Sequence, residues 1–539
     1  MQNNKTIVPQ SEDDLFNSNW GDTNTADLNF LYKGGNMNRI AKLGDVYCVQ
    51  SQRFKKWCAY QVIEEKEDVV ALLTLDWFSD NLPSESDLSS MKPLIIEGFG
   101  FNMKVETVYT SYKGVPSRFT YAGNIKSLFN QDIRSYGDWP TNYFSAEAEY
   151  LWKQYPKEDR KKYIDSNKSN EIVTISGRKL RERTSCVLLA ESIFEPCNGR
   201  PFDNEIDNFA NWSELDKLGA LTEIHYEGGN KEVLSYIEGR SFIRTLKWNK
   251  HGKKEIDISK TNLESLIVDA QGLEKIVVNE NLRTLNFCSN GDDLYKLHIQ
   301  HPNQGQHLSI KINLDSEETP DFKLPHLSSL TLSVKNLDAQ KIAEFYPNLK
   351  SLCIWGGPGN IHNIAAFGQL KKLKWLQLKD LFGFTDEEFP LHKELENIEN
   401  LWLTSIPAQA AKAIKKDYKD CMDIRISQMR SEKWLEANMG NPFRDWEGRE
   451  NIPQKQAKDA FNTYKKTLSK LSKISSENEN MEKSKVVLKE YVELFNEMQS
   501  IDTIEREEIA DSFFMLLKKS GLNVDGKSYM SWFDEWRDF

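Results

Sequence analysis

Between residues 220 and 405 apolar side chains recur in one phase, LxxLxL. It occurs as Leu221-Ile224-Tyr226, Ile243-Leu246-Trp248, Leu263-Leu266-Val268, Leu273-Ile276-Val278 and Leu282-Leu285-Phe287. It continues as Leu294-Leu297-Ile299, Leu327-Leu330-Leu332, Leu349-Leu352-Ile354, Leu373-Leu376-Leu378 and Ile398-Leu401-Leu403, with HLSIKINL (307–314) a degenerate member between the sixth and seventh. Successive side chains of a strand point to opposite faces, so each triplet predicts a short strand with these residues turned to a core. First positions are 22, 20, 10, 9 and 12 residues apart in the first half, and 22, 24 and 25 apart in the last three steps. The long steps leave room for a return helix, for which AQKIAEFYP (339–347) is suited. The short ones leave room only for a turn.

Outside this region the pattern changes twice. From 40 to 125 the runs GDVYCVQ (44–50), WCAYQVIEE (57–65) and VVALLTLDWF (69–78) are β-branched and aromatic, with turn-formers between them. NLPSESDLSSMKP (81–93) reads as a loop or short helix, and LIIEGFGFN and KVETVYT (104–110) as further strands. Helical patterning begins with SAEAEYLWKQYPKEDRKKYI (145–164). It returns after about 428 in residues 455–474, 481–501 and 502–522 and in the closing YMSWFDEWRDF. Asp502 or Thr503 suits the third helix as N-cap and Gly521 as its stop.

Ten triplets in order, with later spacings inside the 20–29 residues of leucine-rich repeats, predict an irregular leucine-rich-repeat solenoid. Its first half should be tight and close to a β-helix. The fold class expected is multidomain α+β. It comprises a polar tail (1–35), a small bent β-sheet or barrel (36–130), a helical connector (131–205), the solenoid (206–428) and an all-α C-terminal domain (429–539).

Composition narrows the function. The 539 residues carry a net charge of -11, which argues against sequence-independent nucleic-acid binding. The first residues lack a basic region followed by an apolar one, and no run approaches 18 apolar residues, so no signal peptide, membrane span or membrane contact is expected. Seven cysteines from Cys48 to Cys421, with no CxxC pair, fit reduced thiols in a cytoplasmic protein.

Candidate chemistry is sparse. His298, His301 and His307, with Cys288 near in sequence, are the nearest approach to a zinc set, but they read as polar face and loop residues. GGPGN (356–360) lacks a dinucleotide or phosphate-loop context and reads as a repeat turn. Cys288 and Cys353 fall on outward positions without a catalytic setting. Asp502, Glu505, Glu507 and Glu508 read as solvated acids at a helix start. No cofactor, metal or catalytic residue is expected. An enzyme would have to rest on carboxylates of a terminal domain, such as Asp45, Asp76 and Asp80.

The N-terminal segment resembles the immunity protein 26 family of bacterial polymorphic-toxin systems. KLGDVYCVQ (42–50), WCAYQVI (57–63) and LDWFSDNLPSESDLSSMKPL (75–94) carry the resemblance, which covers about residues 38–125. It implies a bacterial protein that neutralises a toxin by direct binding. NPFRDWEGRE and the last helices look like a helical tail found on assorted bacterial proteins, to which no activity attaches.

The outward positions of the last repeats are the candidate partner-binding residues. Trp355, Trp375, Gln377, Lys379, Asn400, Trp402 and Thr404 place three tryptophans on three successive strands. Such a ridge is typical of interface anchors. Cover by the C-terminal domain, or a phase wrong by one residue, are the alternatives. The expected function is therefore non-enzymatic binding of a protein partner, a toxin if the resemblance holds. The rivals are a general leucine-rich-repeat scaffold or sensor in stress or phage defence, and an enzyme. A net negative chain would favour a basic partner. Oligomeric state stays open.

Overall fold

The computed structural model describes residues 39–538 apart from 52, 99–104, 111, 130–132, 134, 138, 141–143, 193–203, 289–293, 315–317, 420, 422, 439, 448, 450, 475–480, 500 and 521–525. The expected polar tail and Gly521 lie outside the described residues.

At the N-terminal end Asp45–Gln50, Trp57–Glu65, Val70–Ser79, Thr107–Tyr109 and Thr120–Asn124 form an antiparallel sheet. Thr107–Tyr109 and Thr120–Asn124 are its two edges, so among the described residues the sheet is open and no barrel closes. Its inner strands are buried almost throughout rather than in alternation. One apolar cluster, with Tyr47, Tyr60 and Trp139, covers one face, and another, with Val46, Leu73 and Leu88, covers the other. That two-sided cover explains the near-continuous apolar runs. Ser84 caps the short helix Glu85–Ser90 in a capping box with Asp87. The expected strand LIIEGFGFN reduces to a single bridge, Ile95 to Val105, among the described residues.

Residues 131–205 contain more than the expected helices. Ser145–Gln154 and Lys157–Lys168 are helical, but Ile172–Ile175 pairs with Arg178–Arg181, and Cys186–Ala190 enters the long sheet. TSCVLLA (184–190) carries the β-branched, apolar signal of that strand.

The long sheet is parallel. From one end it runs Glu205–Ile206, Cys186–Ala190, Glu223–Glu227, Thr245–Asn249, Ser265–Val268, Thr284–Phe287 and Ser309–Leu314. It continues through Ser329–Val334, Ser351–His362, Trp375–Phe382, Asn400–Thr404 and Asp423–Ser427. Burial alternates strictly along most strands, and the LxxLxL residues are the buried set: Leu352, Ile354, Leu376, Leu378, Leu401 and Leu403 are fully enclosed. One apolar core extends from Ile175 to Cys421. Each enclosed leucine contributes about 1.5–3 kcal/mol relative to exposure.

The short spacings have a specific cause. Triplets 273–278 and 294–299 do not belong to the long sheet. Glu255–Asp257, Lys275–Val277 and His298–Gln300 form a second parallel sheet, and the chain passes alternately between the two. Several returns elsewhere use helices, including Ala339–Phe345, capped by Asp338, and Ala408–Asp417.

GGPGN is not a turn. It lies within Ser351–His362, where the register with Trp375–Phe382 slips between Trp355 and Gly359. A Cβ on Gly356 would stand 1.8 Å from the Asp380 carbonyl oxygen, so only glycine permits this approach.

Helices Gln454–Ile474, Met481–Asn496, Thr503–Ser520 and Gly526–Trp536 follow. Phe443, Trp446, Tyr464, Tyr491, Phe495, Phe513 and Phe533 form their core. Glu505 and Glu508 are not solvated acids: the Arg449 guanidinium is shared between them at 2.7 Å, and Trp446 Nε1 donates to Glu508 at 2.7 Å. The NPFRDWEGRE segment is thereby pinned to the third helix. No helix among the described residues is long and apolar enough to cross a membrane.

Candidate functional site

The outward face of the long sheet is built from the alternate residues the leucines leave over. At its C-terminal end these include Trp355, Trp375, Gln377, Lys379, Asn400, Trp402 and Thr404, all on the side predicted from the repeat phase. They are less open than an exposed ridge. Trp355, Trp375, Gln377, Asn400 and Thr404 are half-buried, Lys379 is exposed, and Trp402 is only 9% accessible.

Parallel register puts the three indoles at three heights. Trp375 lies abreast of Asn400 and Ser351, Trp402 abreast of Gln377 and Arg425, and Trp355 abreast of Lys379 and Ser333. Trp375 and Trp402 touch diagonally, ring centroids 4.4 Å apart. Trp402 is held from the next strand, its Nε1 donating to Asp423 at 2.9 Å with the Arg425 guanidinium over its ring at 4.3 Å. Lys311 Nζ stands 5.4 Å from the Trp355 ring centroid, and Trp355 Nε1 has no acceptor among the described residues.

Both neighbouring units bracket this face. On the strand-start side Arg118 pairs with Glu399 at 3.1 Å. Glu147, on the helix Ser145–Gln154, accepts from Arg283 at 2.6 Å and from Ser51 at 2.5 Å, with Arg53 at 3.9 Å. On the strand-end side Lys379 pairs with Asp445 at 3.6 Å, and Arg444 Nε donates to Asp380 at 2.6 Å. The C-terminal segment therefore reaches the end of the face at Lys379, which is partly engaged within the chain. The cover on Trp402 comes from Asp423 and Arg425 of its own sheet.

The strand-start border is cationic despite the acidic chain. Burial, with Lys350, Lys55, Arg283 and Arg53 around it, lowers the His307 imidazole to about 4. Burial and the ammonium groups of Lys55, Lys374 and Lys372 lower Lys350. Around His307 and Lys350 cations predominate, while Glu147 and Glu399 pair with Arg53, Arg283, Arg118 and Lys374 along the same border.

The other candidates separate. Burial pushes the Cys353 thiol up to about 11, against a smaller opposing effect of the polar groups of Ser351, Thr331 and Trp375, so it is not an activated nucleophile. Cys288 is exposed and its thiol donates to Asn249 at 3.0 Å. His301 is buried, which lowers its pKa, whereas His298 is exposed. Asp45 is enclosed and accepts from Tyr47, Lys42 and Asn124, while Asp76 and Asp80 are exposed beside Lys153 and Lys56. A cavity of about 170 Å³ is lined by Asp159, Lys162, Tyr163, Asp216, Tyr236 and Arg240, among others. It is smaller than a usual ligand pocket, and its Asp216 is already bonded to Arg240 and Tyr236.

One cluster was not foreseen. Cys186, Glu223 and His225 come together on the outward face near the other end of the sheet. Only the strand at 186–190, which lay outside the repeat frame, brings the cysteine to the other two. No known family model and no curated protein matches this chain.

Proposed function

We propose that this is a non-enzymatic binding protein whose two parallel sheets form a leucine-rich-repeat solenoid, and that the outward face between Trp355 and Thr404 receives a protein partner. The observation that carries the reading is the Trp375–Trp402 pair beside Trp355, set between two flanking units on a face otherwise lined by polar and charged side chains. Interface anchors are enriched in tryptophan held in a bounded, partly desolvated setting. The cations along the strand-start border favour a partner with an acidic surface there.

The resemblance of residues 38–125 to immunity protein 26 makes a bacterial toxin the proposed partner and the cytoplasm the proposed site of action. Neutralisation would be steric, the toxin's working surface being covered by the bound chain. Co-expression with the product of each neighbouring gene tests this. Rescue from one toxic product, with a stable complex weakened by Trp375→Ala, is the expected result. Failure of rescue with every neighbour would remove the toxin reading. A complex insensitive to changes at Trp355, Trp375 and Lys379 would remove the face.

A further inference from the structure

Cys186 opens the strand Cys186–Ala190, and in parallel register it lies directly abreast of Glu223, the first residue of Glu223–Glu227. His225 follows two positions later and so shares the face of Glu223. A thiol sulfur, a carboxylate oxygen and an imidazole nitrogen from these residues all lie within 4.8 Å of one another. All three residues are half-buried, so the donors are recessed but within reach of solvent. His225 Nε2 is 2.6 Å from Glu223 Oε1, which fixes the ring toward the same point.

From this geometry we propose that the protein binds one zinc ion through Cys186 Sγ, Glu223 and His225 Nε2, with the fourth position open to water or to a donor from a bound partner. The donor set selects the metal. Calcium and magnesium take oxygen ligands, whereas thiolate with imidazole and one carboxylate suits zinc. Zinc bonds of about 2.0–2.3 Å place tetrahedral donors roughly 3.5 Å apart, so small side-chain rotations close the site. Binding releases the thiol proton to solvent, and the imidazole binds as the neutral ring with its proton on Nδ1. One thiolate and one carboxylate balance the two charges of the ion, so Lys247, abreast of His225, meets no net like charge. The ion would staple two adjacent strands where the sheet begins, well away in sequence from the tryptophan face and independent of it.

Cobalt(II) titration of the metal-free full chain tests the site. One equivalent should give a thiolate-to-cobalt absorption band with the visible bands of tetrahedral cobalt, and zinc should displace it. Cys186→Ser should abolish the thiolate band, His225→Gln should weaken zinc binding about 100-fold, and Cys288→Ser should leave both unchanged. In the unmodified chain, zinc should protect Cys186 but not Cys288 from alkylation, a readout that needs no variant to fold. Absence of the thiolate band at one equivalent, its persistence in Cys186→Ser, or alkylation of Cys186 unaffected by zinc would each overturn the proposal.

Discussion

Arg444 donates through Nε to Asp380 Oδ2 at 2.6 Å, joining residues 64 positions apart across the junction between the long sheet and the C-terminal helices. Both side chains are largely enclosed, and Asp380 also accepts from Ser405 at 2.9 Å. Asp380 adopts a left-handed backbone, φ 58°, which asparagine tolerates. Asp380→Asn therefore removes the charge without straining the chain and leaves Arg444 buried without its counter-ion. The expected loss is about 3 kcal/mol. Asp445→Asn, which breaks the 3.6 Å pair with half-exposed Lys379 and removes one of three carboxylates acting on Arg430, should cost less, about 1 kcal/mol. Urea denaturation of the two variants checks the difference, and equal losses would remove the Asp380 bond as the main fastening.

Much of this arrangement is readable from residue order, and the reason is local. The two-residue alternation of a strand fixes which side each residue takes, so Leu352 and Ile354 inward and Trp355 outward follow from phase alone. What phase leaves open is which strands pair. Leu273 and Leu294 carry the same triplet as Leu263 and Leu282 yet serve a different sheet. Cys186 was missed for the same reason, since its strand precedes the first recognisable triplet. Arg118–Glu399 and Arg444–Asp380 depend on how whole units meet, which no spacing encodes. The degree of cover on Trp402 is equally non-local, because Asp423 and Arg425, which lie against it, belong to a strand beyond the last triplet.

Acid should loosen the C-terminal helices through Glu505. Burial alone would raise this carboxyl, but its bonds to Arg449 and Asn451, a backbone hydrogen bond and the Arg449 charge together hold its pKa below the ordinary value. The unfolded chain thus takes up the proton first as pH falls. The stabilisation is present above the ordinary glutamate value of about 4.3 and disappears as pH drops through the lower folded value. Glu505→Gln should be less stable at neutral pH and should lack this acid-dependent component in denaturation curves between neutral and acid pH. An unchanged acid slope in the variant would assign the effect elsewhere.

His307 acts over a milder range. Its folded value is about 4 against 6.5 for a free imidazole. Between those values the unfolded chain carries a proton that the folded chain does not, so stability falls as pH drops from 6.5 to 4 and is unaffected by this group above 6.5. His307→Asn, compatible with φ 68° at this position, should flatten the slope in that window. Lys55→Gln should raise the imidazole pKa, measured by NMR titration, because Lys55 is one of the cations pressing on it. A titration near 6.5 in the unmodified protein would contradict the crowded cationic border.

The tryptophans should divide between stability and binding. Trp402 is nearly enclosed, bonded to Asp423 and stacked under Arg425, so Trp402→Ala should cost about 3 kcal/mol of folding stability. Trp355 and Trp375 are half-buried, and Trp355 has no hydrogen-bond acceptor for its indole among the described residues, so truncation there should disturb folding less. If the face receives a partner, the same truncations should cost affinity out of proportion to stability, roughly 30-fold or more for a central anchor. Calorimetric titration of the co-expressed partner against each variant, alongside its melting temperature, separates the two effects. Trp375→Ala is the most informative change, because Trp375 touches Trp402 on one side while keeping part of its own surface open. Loss of affinity with a near-normal melting temperature supports a binding face. A fall in melting temperature with unchanged affinity means that the aromatic pair only closes the end of the sheet.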